Sequence, residues 1–199
     1  PSGTCHVSLM WTTRLSPAIT KQTRLRLDVA ATWCSGGFTS IMGYVLAFDP
    51  GETIGVATLA NEWPPQPTSS WTGEWPWKDL ELTCTCWTGL AHPDAIIIET
   101  FKLFPHLAKQ QIGSEFPAVQ VIGQLKLLAH QTGLTDKLIW QQPDILKMWP
   151  DDKLQKLGLS LYGLSPHEKS ALRHCVHYLR SQFNKHHYPI RPIRTKKKQ

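Results

Sequence analysis

The sequence predicts an α/β domain with a sheet buried between helices, and three observations carry that prediction. Two short apolar runs, Gly43–Phe48 and Ala95–Ile98, lack the polar alternation of a half-exposed strand. A strand reads this way when both of its faces are covered. Helical periodicity lies between and after the strands: Val119, Ile122, Leu125, Leu128 and Ala129 form one stripe over Ala118–Thr132. A second helix, Ser165–Phe183, opens on Ser165, Pro166 and Glu168 in the N-cap, N1 and N3 places of a capping box. Strand and helix signals that alternate in this order place helices on a sheet.

A chain of 199 residues with 41% hydrophobic content is enough for one domain with a sizeable core, plus tails. No apolar run is long enough to span a membrane, and the first residues lack the basic, apolar and small-residue order of a signal peptide. The five cysteines, Cys5, Cys34, Cys84, Cys86 and Cys175, are an odd number in a chain too large for a disulfide miniprotein, which points to a reducing, cytoplasmic setting. Cys84 and Cys86 are one residue too close for a zinc knuckle and have no matching second pair.

The net charge of +6 is unevenly distributed. Residues 1–41 carry +3, residues 191–199 carry +5, and residues 42–190 carry −2. The globular part is nearly neutral and its ends are basic. Basic ends neutralise phosphates and release counterions, so Lys196, Lys197 and Lys198 are candidates for a nucleic-acid backbone contact as well as for a solvated tail.

In chain order, residues 1–41 show neither strand nor helix period and read as an irregular leader outside the fold. The domain is expected over 42–183, with a basic tail at 184–199. Gly43–Phe48 is the first strand and ends on Asp49. The turn Pro50-Gly51 follows, then a second β-rich run, Thr53–Leu59. Asn61–Trp77 is rich in Pro and Trp, with Ser70–Trp75 able to form a short edge strand. Its tryptophans can stack on bases or cap an exposed core edge. Lys78–Leu90 fits both periods. Ala95–Ile98 is a central strand that ends on Glu99. Thr100–Glu115 is a loop containing Lys102 and Lys109, and Gly133 closes the helix over Ala118–Thr132. Lys137–Gln141 is a short strand, Pro143 starts a brief helix carrying Lys147, and Asp151–Leu159 is a further short helix or turn.

The chemistry resides in the strand ends. Asp49 and Glu99 each close a buried strand, where the core fixes the backbone and the following loop admits solvent. Two carboxylates on neighbouring elements are what a hard cation such as Mg²⁺ needs to be held against a phosphate. Two such ions can activate a water and stabilise a leaving oxygen. Asp49 in a plain hairpin turn is the competing reading.

The order D-P-G-x-x-x-G from Asp49, I-I-I-E ending on Glu99, and P-H-x-x-x-A-x-R-H-x-x-x-Y-L from Pro166 resembles the RuvC-type Holliday junction resolvases. Val121–Gly133 and Gln141–Lys147 support the match, which is to the phage-type branch within the ribonuclease H-like superfamily and runs from about Met42 to Leu179. The resemblance implies a mixed five-stranded sheet flanked by helices. It implies Mg²⁺- or Mn²⁺-dependent cleavage of branched DNA such as a four-way junction, with two ions, by a homodimer. Asp49, Glu99 and His167 match the family's acids and the histidine of its last helix. Lys147 and Lys102 become phosphate contacts.

One position departs from the pattern. The family reads His-x-x-Asp-Ala where this chain reads His167-Glu168-Lys169-Ser170-Ala171, so a hydroxyl stands in place of the last acid. Either His167 and Glu168 complete the site, or the protein binds branched nucleic acid with weakened or absent catalysis. Glu168 is therefore expected as a catalytic candidate, beside its capping-box role. His174 is expected to pack near the site and His177 to be exposed.

Overall fold

Alternating side chains along the central strands face two different helices. In the computed structural model the residues described are 43–66, 70–79, 83, 93–101 and 115–187. The strands are β1 (Tyr44–Asp49), β2 (Thr53–Ala60), β3 (Trp71–Pro76), β4 (Ala95–Glu99) and β5 (Leu138–Gln141). Their helices are α1 (Pro117–Gln131), α2 (Asp151–Lys156) and α3 (Pro166–His187), with 3₁₀ turns at Thr135–Lys137 and Pro143–Met148. The sheet has five strands in the order β3-β2-β1-β4-β5. β1 pairs antiparallel with β2 and parallel with β4, β2 pairs antiparallel with β3, and β4 pairs parallel with β5.

Val45 and Ala47 of β1 and Ala95 and Ile97 of β4 pack with Ala171, Leu172, Cys175, Val176 and Leu179 of α3. Leu46 and Phe48, with Ile96 and Ile98, pack with Val121, Leu125 and Ala129 of α1. Residues two apart share a face and successive residues oppose, so β1 and β4 each feed both cores and carry their acids, Asp49 and Glu99, only at their ends. The Cys175 thiol lies in the first core against the Ala57 carbonyl, 3.5 Å away, and burial drives its pKa far above the ordinary thiol value.

The buried row of α1 is Val121, Leu125 and Ala129, while Val119 is 48% exposed. This corrects the predicted stripe, which began at Val119. At about 100° per residue Val119 lies on the opposite side of the helix from Val121, and apolar residues on several faces blurred the pattern. The helix ends as a Schellman motif, with Gly133 at φ +70° and Leu134 N–H donating to the Ala129 carbonyl at 2.8 Å. β3 forms an edge, as expected for the Pro- and Trp-rich segment, and Trp71, Trp75 and Trp77 lie on the second core. Trp63 meets Trp149 edge-on, with centroids 6.1 Å apart. The tryptophans thus cap core edges.

α3 is anchored at its start by the predicted capping box. Glu168 N–H donates to Ser165 Oγ at 3.1 Å, and Ser165 N–H donates to Glu168 Oε2 at 2.9 Å. It runs to His187, four residues beyond the predicted Phe183. Asp151 of α2 accepts from Lys169 Nζ at 3.3 Å and from Arg173 Nη2, and so clips α2 onto α3. Residues 1–42, most of Lys78–Leu90, and Lys102–Ser114 lie outside the described residues. So do Lys102 itself and Lys196–Lys198 of the tail. No helix among the described residues is long and apolar enough to cross a membrane.

Candidate active site

Three parallel strands end side by side. Phe48 pairs with Ile98 and Glu99 pairs with Gln141, so Asp49, Glu99 and Gln141 form a row across β1, β4 and β5. Adjacent strands lie about 4.8 Å apart. Asp49 shares its face with Val45 and Ala47, and Glu99 shares its face with Ala95 and Ile97. Both acids therefore point to the side covered by α3.

α3 brings three residues to them. His167, Ser170 and His174 are three and four apart and share one face of the helix. His167 Nδ1 lies 3.2 Å from Asp49 Oδ2. Ser170 Oγ donates to Glu99 Oε2 at 3.3 Å. His174 Nε2 lies 2.7 Å from the same Glu99 oxygen, and its Nδ1 lies 2.8 Å from Gln141 Oε1. His174 is fully buried, while the His167 side chain is 43% exposed.

The helix can approach this closely because β2 has a glycine beneath it. Gly55 pairs with Asp49, and a Cβ placed on it would overlap the backbone carbonyl of His167. Gly51 of the turn lies under the imidazole, its Cβ position 3.9 Å from His167 Cε1.

Burial is the largest cause raising the Asp49 carboxyl above its ordinary value, and the negative charge of Glu99 raises it further. The hydrogen bond and charge of His167, and the charge of His174, act in the opposite direction without cancelling the rise. Two anions held together in a half-buried site attract a cation.

The donor set fits one hard divalent ion. Asp49 and Glu99 each use one oxygen in the bonds above, and the other oxygen takes no hydrogen bond among the described residues. Mg²⁺ is commonly held by one or two carboxylates together with substrate phosphate. A third acid is lacking because position 170 is serine, and among the described residues no three His, Cys, Asp or Glu groups close on one point.

Glu168 stands apart from this pair. Its Oε2 accepts from Ser165 N–H and its Oε1 accepts from Thr72 Oγ1 at 3.0 Å, so the carboxylate ties the start of α3 to β3. That use is the capping-box role read from the sequence, with the tie to Thr72 added to it. His177 is half-buried, not exposed as expected, and accepts from Trp149 Nε1 at 3.2 Å. Burial holds its pKa below the ordinary histidine value, as does the charge of His174. Lys147 is exposed on the 3₁₀ turn just after β5.

A solved structure of T. thermophilus RuvC in complex with a Holliday junction substrate superposes on this chain with a TM-score of 0.52 at 14% identity, covering 70% of this chain and 96% of that one. The fold is RuvC-like. The five-stranded mixed sheet flanked by helices is thus the ribonuclease H-like fold that the motifs led us to expect. No family model and no curated protein matches the sequence.

Gln141 is the site residue that sequence reasoning passed over, and no local signal in the sequence marks it. His174 packs beside the site as its helical spacing from Ser170 and His167 led us to expect, while its particular partners, Glu99 and Gln141, were not foreseen.

Proposed function

We propose that this protein is a metal-dependent, structure-selective DNA endonuclease, of the phage-type branch of the RuvC-like resolvases, which hydrolyses phosphodiesters at four-way or otherwise branched DNA. One observation carries the reading: in a RuvC-like fold, Asp49 and Glu99 end adjacent parallel strands on one face, under the first two turns of α3. The T. thermophilus neighbour is a complex with a Holliday junction.

Asp49 and Glu99 would hold Mg²⁺ or Mn²⁺, which when bound supplies positive charge at the phosphate and an activated water. The chain's own residues do the rest. His167 is fixed to Asp49 through Nδ1, which leaves Nε2 on its exposed side to give or take a proton at the scissile phosphate. The first turn of α3 places that ring above the Pro50-Gly51 turn, where a backbone phosphate can enter. Lys147, Lys102 and the Lys196–Lys198 tail are assigned to phosphate contacts, which set affinity without reading sequence. With position 170 a serine, one ion is the occupancy that the acids support, in place of the two expected from the resemblance. A homodimer in the cytoplasm, cutting paired strands, completes the proposal.

Cleavage of a labelled four-way junction, against matched linear duplex, with and without Mg²⁺ or Mn²⁺, tests it. Metal-dependent paired cuts in the junction alone are expected. Serine at 170 favours a second reading, a binder of branched nucleic acid without catalysis. Tight junction binding with no cutting under either metal would establish that reading instead.

A further inference from the structure

Position 174 lies within an apolar stretch of α3, where Ala171, Leu172, Cys175 and Val176 all belong to the core. A buried imidazole there is tolerable only if its polar atoms are satisfied. Both have a polar partner, on two different strands: Nε2 faces Glu99 of β4, and Nδ1 faces the side-chain amide of Gln141 of β5, whose oxygen accepts when Nδ1 carries a proton and whose NH₂, with the amide turned round, donates when it does not. A carboxylate only accepts, so Nε2–H is the donor to Glu99. Ser170 Oγ donates to the same oxygen. Oε2 therefore carries two protein donors, and Oε1 carries no hydrogen bond among the described residues. A glutamate has three side-chain torsions, and two donors on one oxygen fix them.

We propose that His174 is a positioning residue which, braced by Gln141, locks the Glu99 carboxylate through Oε2 and so presents Oε1 to a divalent cation shared with Asp49. The proposal rests on Asp49 and Glu99 being cation ligands. Partners of this kind behind a metal ligand typically change affinity by about 10- to 100-fold when removed.

The test is Mn²⁺ binding to the full chain without DNA, followed by the loss of the free-ion paramagnetic resonance signal. It is run on wild type, His174→Ala, His174→Gln, Gln141→Ala and Asp49→Asn, each checked for folding by circular dichroism. His174→Ala is expected to weaken Mn²⁺ about 10-fold or more. His174→Gln is expected to recover part of that loss, because its amide can still donate to Glu99. Gln141→Ala should shift affinity in the same direction, less strongly. If His174→Ala and Gln141→Ala bind Mn²⁺ like wild type while Asp49→Asn does not, the positioning role is overturned and the acid pair stands. If Asp49→Asn is also unaffected, the acid pair is not the cation site and both readings fall. Should His174→Ala not fold, Gln141→Ala and His174→Gln decide, and wild-type affinity in Gln141→Ala overturns the proposal.

Discussion

The backbone of His167 occupies the space that a side chain at Gly55 would fill. A Cβ there would overlap the His167 carbonyl and come within 2.8 Å of His167 Cβ. Gly55 also pairs directly with Asp49, so one missing side chain sets how near the helix lies to the first acid. Gly55→Ala should push the start of α3 off β2 and part His167 from Asp49. Overpacking of this kind costs about 1–3 kcal/mol, and a misplacement near 1 Å can cost about 10²-fold in rate. Melting curves and single-turnover junction cleavage of the variant check both effects. Wild-type cleavage would show that the close approach is unimportant.

Asp49→Asn should abolish cleavage and leave junction binding nearly unchanged. It should also make the metal-free protein more stable. A carboxyl whose pKa is raised on folding contributes stability that is fully present below its unfolded value and lost as pH rises through its folded value. At neutral pH, above the unfolded value of the carboxyl, the raised pKa thus works against the fold. In chelator the variant's melting midpoint should rise by about 1–4 °C, while added Mn²⁺ should stabilise only the wild type.

The same shift governs the response to acid. Cation binding needs Asp49 ionised, and burial together with Glu99 holds its pKa above the ordinary aspartate value. Mn²⁺ affinity should therefore begin to fall at a higher pH than an unperturbed aspartate would give. A titration of binding from neutral pH downward, compared with a surface aspartate reference peptide, measures the offset. No offset would remove Asp49 from the ligand set.

Ser170→Asp would set a third carboxylate beside Glu99 at a position only 5% exposed. Without metal the added repulsion should lower the melting midpoint. With Mn²⁺ the loss should be reversed, cation occupancy should rise, and cleavage should increase sharply if the native site is limited by its missing acid. Unchanged cleavage would mean that the present residues already suffice.

Glu168→Gln separates capping from chemistry. Glutamine can serve the N3 place of a capping box, so stability should fall by no more than about 1 kcal/mol. Cleavage should stay within a few-fold of wild type, because the Glu168 oxygens face Ser165 and Thr72. Loss of cleavage in a folded Glu168→Gln protein would return this residue to the acid set.

What the sequence revealed followed from local signals. Asp49 and Glu99 were legible because an apolar run that stops on an acid is visible in a line of text. The start of α3 was legible because capping chemistry spans only four residues. The edge strand at Trp71–Pro76 could be read from its prolines and tryptophans. The pairing of His174 with both Glu99 and Gln141 was not, since it joins β4, α3 and β5 across a packed interface. The role of Gly55 was hidden for a similar reason: in sequence it is one glycine in a hairpin, and its meaning depends on a helix more than a hundred residues later. The α1 stripe was misread because apolar residues on several faces leave the rotation to tertiary packing.

The length of α3 carries one more consequence. At about 1.5 Å per residue, His187 lies about 30 Å along the axis from His167. That is roughly nine base pairs of duplex. A basic segment that leaves from the far end of this helix and grips a DNA arm would hold it nearly a full helical turn away from the bond being cut. The helix would then act as a ruler, setting the distance between where an arm is grasped and where a strand is opened.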